Sequence, residues 1–436
     1  MKIENVFFKQ FSFTFFIKVI VSFGALSLSF IVGDFFGSSE LGSFILFQAT
    51  VYFIVVISII GMNETLVLYI GREERKNKIK TYFKWALYTS TFNILTILMI
   101  FNIIVVCFSL DSEYKFLDDY LLYINISAPI FLFSFLIAGF YKGVGSSAKA
   151  CLAENGAVSV ICSIVLIINK VLFLDYMSLG ESYFISIVIV FIFAVLGMSI
   201  DLKKIVLVGE YKEGDRTLGD FLNSSKYFFL MTLSPLFQTT IILFILGWYV
   251  TETEIAIFRV AQQISQILAF PLLVLNIILP RQFSKDFSIG NIKRIEYYSS
   301  LSSSILTIAL LPIVILMIVF SSNILLLFNK EFIVGSTLLI ILLIGQYINS
   351  STGSVASILK VSGNEKILSF IIVLCNCISI VSFLILVPIL GLVAGSIAIS
   401  FILITQNLLS AYCVLLKLKI WPLINLNLNR SLNRCL

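Results

Sequence analysis

Histidine is absent from the 436-residue chain, which removes the usual imidazole base and the commonest metal ligand together. Triad hydrolases and zinc enzymes fit poorly for that reason. Charge is scarce as well: Asp, Glu, Lys and Arg make up 12% of the residues against 59% hydrophobic, and the mean hydropathy is +1.05. No water-soluble domain of this length approaches those values. The seven cysteines are scattered, mostly in apolar runs, with no CxxC pair. They read as small buried hydrophobes, not as disulfides or metal ligands. No Walker motif is present, so ATP bound to this chain powers nothing, and no cofactor or metal is expected. Alternating strands of about ten residues are missing too, which excludes a transmembrane β-barrel.

What the chain does have is apolar runs, each near the ~20 residues that a helix needs to cross a bilayer. Helices are expected at about 12–33, 42–63, 85–108, 121–141, 154–174, 182–200, 227–247, 254–279, 298–320, 334–352, 367–387 and 392–414. Lys and Arg partition sharply between the connecting segments: 25 of the 30 fall on one side, against Lys115, Lys170 and Lys330 on the other. Positive residues stay on the cytoplasmic side, so both termini are expected there, with the first span a retained helix and no cleaved leader. The outer loops are too short for an extracytoplasmic catalytic domain.

The stretch Gly33 to Gln48, GDFFGSSELGSFILFQ, returns in degenerate form 214 positions later as GWYVTETEIAIFRVAQ, Gly247 to Gln262. The copies share Gly33/Gly247, Glu40/Glu254, Phe44/Phe258 and Gln48/Gln262. Each reads as a short link between two hydrophobic helices. A second echo, K-x-x-G at Lys142 to Gly145 and Lys360 to Gly363, is offset by 218. Internal symmetry of this kind is common in transporters. The expected fold is therefore all-α integral membrane, with about twelve transmembrane helices in two six-helix pseudo-symmetric lobes around a central cavity. The N-terminal lobe spans 1–200, a cytoplasmic inter-lobe loop 201–226 and the C-terminal lobe 227–436.

A charge inside a membrane helix costs about 2.5 to 3.5 kcal/mol even on lenient scales, so it usually faces a cavity or a partner. Lys18 in the first helix and Arg259 in the eighth are the two such cations. They are candidates for binding a phosphate-bearing ligand, Arg259 through its five-donor fork; the plain alternative is snorkelling to the headgroups. Asp34 at the outer end of helix one and Glu64 at the inner end of helix two are candidate gating or ion-pair residues. Glu154 is expected in the first turn of helix five, where the helix dipole favours a carboxylate. Pro235 is expected to bend helix seven. Gly391 and Gly395 form a GxxxG pattern suited to close helix packing. Gly143, Gly145 and Ala148 match GxGxxA but follow a membrane helix, so they hold no dinucleotide. The basic segment Arg72 to Lys84 is a membrane-surface anchor and implies no nucleic acid.

With its twelve helices in two lobes, the Glu-x-Gly-x-Phe pattern of Glu40, Gly42 and Phe44 after the first span, and PLLVLNIILPRQFS at Pro271 to Ser284, the chain resembles the polysaccharide flippases of the MOP (MATE-like) superfamily. The nearest group is the Wzx-type O-antigen and capsule repeat-unit translocases. The resemblance implies a bacterial inner-membrane flippase, not an enzyme, that moves undecaprenyl-pyrophosphate-linked oligosaccharide to the outer leaflet by alternating access. Its implied partners are that lipid-linked oligosaccharide, membrane lipids and other polysaccharide-assembly membrane proteins. Lys18 and Arg259 occupy positions comparable to the cavity cations of related flippases, with lysine where arginine is common. A MATE-like cation-coupled drug exporter and a membrane glycan polymerase are the alternatives. Intramembrane carboxylates are few for the first, and a large outer loop is missing for the second.

Overall fold

The computed structural model describes residues 2–71, 76–109, 114–172, 177–204 and 217–424, and among them every regular element is a helix. Two compact units result, Met1–Leu243 and Phe244–Leu436.

The N-terminal unit contains α1 (Lys2–Phe36), α2 (Ser38–Ile59), α3 (Met62–Ile70), α4 (Lys76–Cys107), α5 (Lys115–Gly143), α6 (Ser147–Ala153), α7 (Asn155–Val171), α8 (Leu179–Lys204) and α9 (Leu218–Leu236). α5 is its centre, packed by α2, α3, α4, α6 and α8, while α1 lies against α6 and α7. α10 (Ile242–Gly247) carries the chain into the C-terminal unit. There follow α11 (Glu252–Ser265), α12 (Phe270–Ser288), α13 (Ile292–Val319), α14 (Ser321–Leu326), α15 (Ser336–Ser351), α16 (Val355–Val361), α17 (Glu365–Leu390) and α18 (Leu392–Leu418). Here α18 is the centre, packed by α11, α15, α16 and α17.

Among the described residues ten segments are long and apolar enough to cross a membrane, and two shorter apolar segments, Gly156–Val171 and Phe237–Gly247, stand where the fifth and seventh crossings are expected. The fifth is short for a visible reason, and the seventh continues α9. Glu154 is extended (φ −95°, ψ 172°) and separates α6 from α7. In the seventh crossing a π-helical turn, Phe237–Ile241, follows Pro235; a proline takes one donor out of the helical ladder, and a π-turn is one way of absorbing the misfit.

Helix two is also broken where the sequence reads as continuous. Ile60 and Gly61 both have positive φ, 47° and 72°, and a Cβ on Gly61 would lie 2.5 Å from both Phe229 N and Ser225 O. Only glycine fits there. The expected link after helix one shrinks to the single residue Gly37, at φ 90°. Its counterpart after α10 is longer, and Thr251 closes it with a capping box in which Thr251 and Glu254 satisfy each other's backbone N–H. Gly391 is not a helix-packing residue: it sits at φ 52° in the joint between α17 and α18. Gly395 does pack closely, since a Cβ there would come within 2.9 Å of the Phe258 ring.

Candidate functional site

A lysine that the fold sets between two carboxylates lies in the N-terminal unit, at the end of α5. There the helix stops in a Schellman turn: Gly145 has φ 84°, Ser146 N donates to Tyr141 O at 2.8 Å and Val144 N to Phe140 O at 3.0 Å. The turn leaves Lys142 in the last helical turn. Two glycines one turn apart, Gly139 and Gly143, let α3 lie directly on α5. A Cβ at Gly139 would meet Asn63 O at 2.6 Å, and one at Gly143 would meet Ile70 Cβ at 2.7 Å. This is the small-xxx-small contact of membrane helices, at 139 and 143 instead of the expected 391 and 395.

That contact carries Glu64, in the first turn of α3, to Lys142. Lys142 Nζ lies 3.6 Å from Glu64 Oε1 and 2.7 Å from Glu154 Oε1. Asn63 Nδ2 donates to the same Glu64 oxygen at 3.5 Å. Glu154 is not in a first helical turn, as the sequence led us to expect, but is the extended N-cap residue of α7, and its side chain makes no cap bond. Its carboxylate goes to Lys142 instead.

Lys18 belongs to the same region. Burial pushes the Cys151 thiol up, Glu154 pushes it the same way, and Lys18 and Lys142 oppose them. One sulfur on α6 thus feels both lysines and one of the glutamates. Lys18 is half-buried and makes no ion pair among the described residues. The side chains of Lys142, Glu64 and Glu154 are 34%, 38% and 29% exposed, so each pair is worth at most about 1 kcal/mol of stability. The sequence pointed to Lys18 and Glu64 but read Lys142 only as part of a repeat. The available signal was GFYKG, Gly139 to Gly143, in which a lysine stands between two glycines on a membrane helix.

The other candidates lie elsewhere. Asp34 is exposed near the far end of α1 and makes no ion pair among the described residues. Arg259, in the C-terminal unit, is half-buried on α11, and its Nη1 donates to Gln262 Oε1 at 2.7 Å. Gln262 is the last shared position of the second repeat copy and is itself buried. Of the basic segment Arg72 to Lys84, residues 72–75 lie outside the described residues. No group of three or more Cys, Asp or Glu able to hold a metal occurs among the described residues.

No protein-family model matches the sequence, and no curated protein matches it. Solved structures do. The chain is similar to the lipid II flippase MurJ in its inward closed conformation, with a TM-score of 0.71 and 14% identity over 93% of this chain and 87% of that one. It is similar to a multidrug resistance MATE family transporter of the MOP superfamily in its inward-facing conformation, with a TM-score of 0.61 and 16% identity over 94% of both chains. A third likeness is to the Vibrio cholerae MATE transporter VcmN in the bent form, with a TM-score of 0.59 and 13% identity over 98% of both chains. At these identities the likeness concerns the fold alone.

Proposed function

We propose that this chain is a flippase that carries undecaprenyl-pyrophosphate-linked oligosaccharide, an O-antigen or capsule repeat unit, from the inner to the outer leaflet of the bacterial cytoplasmic membrane by alternating access. The observation that carries this reading is Lys18, a half-buried cation near the start of the first span with no ion-pair partner among the described residues and a clamped Lys142 nearby. A cation so placed calls for an anion that arrives with the substrate. A pyrophosphate supplies it, and its charge and sugars cannot cross hydrocarbon unaided. The likeness to a lipid II flippase supports a lipid-linked cargo. The excess of Lys and Arg in alternate connecting segments supports cytoplasmic termini.

In this scheme Lys18 and Arg259 bind the pyrophosphate. Glu64 holds Lys142 while no substrate is present, and Asp34 serves as a counter-charge at the opposite end of α1. The lobes meet at the segment 201–226, which is not all loop: 201–204 end α8, 218–226 begin α9, and residues 205–216 lie outside the described ones.

The test is complementation of a flippase-null strain, read as surface glycan and as lipid-linked repeat units retained inside, with drug efflux measured in parallel. Arg259→Ala and Lys18→Ala are expected to lose surface glycan while the protein still accumulates in the membrane, and Lys18→Arg to keep most of it. Full surface glycan in both alanine variants would remove the two residues from the mechanism. Efflux of cationic drugs without glycan export would replace the reading by that of a drug exporter.

A further inference from the structure

A cleft of about 450 Å³ opens on the N-terminal unit between α1, α6, α7 and α8. Its walls are hydrocarbon: Ile20, Val21, Leu152, Val160 and Phe193. Ile20, Leu152 and Phe193 are exposed at its rim, and the small residues Ala157 and Ala194 are buried beneath. Along α8 it runs from Val190 to Gly197, about 10 Å at the helical rise.

One end is polar. Tyr141 is satisfied there, its hydroxyl donating to Ala194 O at 2.8 Å. Lys149 Nζ donates to Asp201 Oδ2 at 2.7 Å and lies 5.7 Å from the centroid of the Tyr141 ring. An ammonium has three donors, and among the described residues one acceptor, Asp201, faces it. The cation is also the accessible member of the pair, 45% exposed against 12% for Asp201.

We infer that this cleft binds one acyl chain of an anionic phospholipid, with the lipid phosphate on Lys149. An apolar cleft on the flank of membrane-spanning helices takes a hydrocarbon chain, and a cation at its end selects for a negative head. A phosphodiester with one charge suits the site, because the Asp201 carboxylate beside Lys149 repels a pyrophosphate more strongly than a single phosphate. The inference stands apart from the flippase reading, since it needs only a chain in a lipid bilayer.

Native mass spectrometry of the full chain, released from mixed micelles, tests it with phosphatidylglycerol and phosphatidylcholine of the same acyl chains as probes. Wild-type protein is expected to retain one phosphatidylglycerol about fivefold better than phosphatidylcholine, the preference that one lysine at a membrane surface provides. Lys149→Gln should abolish the preference. Asp201→Asn frees the ammonium and should strengthen it, a direction that loss of folding does not mimic. Equal retention of the two lipids by wild-type protein, or an unchanged preference in Lys149→Gln, overturns the inference. Displacement of phosphatidylglycerol by an equimolar polyprenyl phosphate overturns the phospholipid as occupant.

Discussion

Lys142 in the N-terminal unit and Lys360 in the C-terminal unit stand at the same place in the same turn. Ser146 N bonds Tyr141 O and Val144 N bonds Phe140 O; 218 positions later, Asn364 N bonds Leu359 O and Ser362 N bonds Ile358 O. Gly145 and Gly363 have φ of 84° and 73°. These two backbone bonds of the repeat are therefore retained, yet the charges around it are not. Lys142 is held by Glu64 and Glu154, whereas Lys360 is exposed and makes no ion pair among the described residues. The positions matching the two glutamates are Ile278 and Ile372. The two units thus share the turn, and among the described residues only the N-terminal copy sets carboxylates beside its lysine.

The comparison breaks most easily at the lysines. Lys142→Ala strands two carboxylates and is expected to abolish surface glycan in the complementation assay, at a cost of about 1–2 kcal/mol in stability, less than a fully buried pair would lose. Lys360→Ala should leave export within about twofold, because it makes no ion pair among the described residues and a solvated surface residue contributes little. Equal loss in both would mean that the turns, and not the charges, carry the function.

The shared phenylalanines sharpen it next. Phe44 is buried in an aromatic cluster, 5.6 Å from Tyr183 and 6.4 Å from Tyr120, while Phe258 packs on Gly395. Phe→Ala at either position should cost about 3 kcal/mol or more in detergent-phase thermal unfolding. Gly395→Ala should cost about 1–3 kcal/mol by overpacking, and Phe258→Leu should recover part of that loss. No recovery would place the strain elsewhere than on the ring.

The joints after the first helix of each copy give the smallest effects. Gly37 has φ 90° and ψ 170°, a conformation nearly restricted to glycine, so Gly37→Ala should cost about 1–3 kcal/mol. Thr251→Ala removes a cap and should cost about 1 kcal/mol. Thermal shifts of the purified variants, read side by side, rank the two.

Most of the architecture was legible because runs of apolar residues at bilayer length leave the backbone no alternative to helix. The helix breaks were not. Ile60 and Gly61 sit inside an apolar run, and what splits the helix there is the approach of Ser225 and Phe229 from α9, a contact distant in sequence. Glu154 reads as a helix-favouring residue in a first turn, but its ion pair with Lys142 accompanies an extended backbone. In the charged cluster Lys18 was visible as a cation inside a span and Glu64 as a carboxylate at a helix end. Lys142 was hidden because its importance depends on which helix the two neighbouring glycines admit. The GxxxG pattern at 391 and 395 misled for the converse reason: spacing alone does not distinguish a packing glycine from one that turns the chain.

The contact of α3 on Gly139 also makes the distance between Glu64 and Lys142 adjustable. Any side chain at 139 must push Asn63, and Glu64 with it, away from α5, since even a methyl group would stand 2.6 Å from Asn63 O. The grip of the carboxylate on the lysine can therefore be loosened in graded steps, from alanine to serine to valine, without altering a charged residue. Position 139 is in this sense a spacer, and the tightness of the Glu64–Lys142 contact is set by its size.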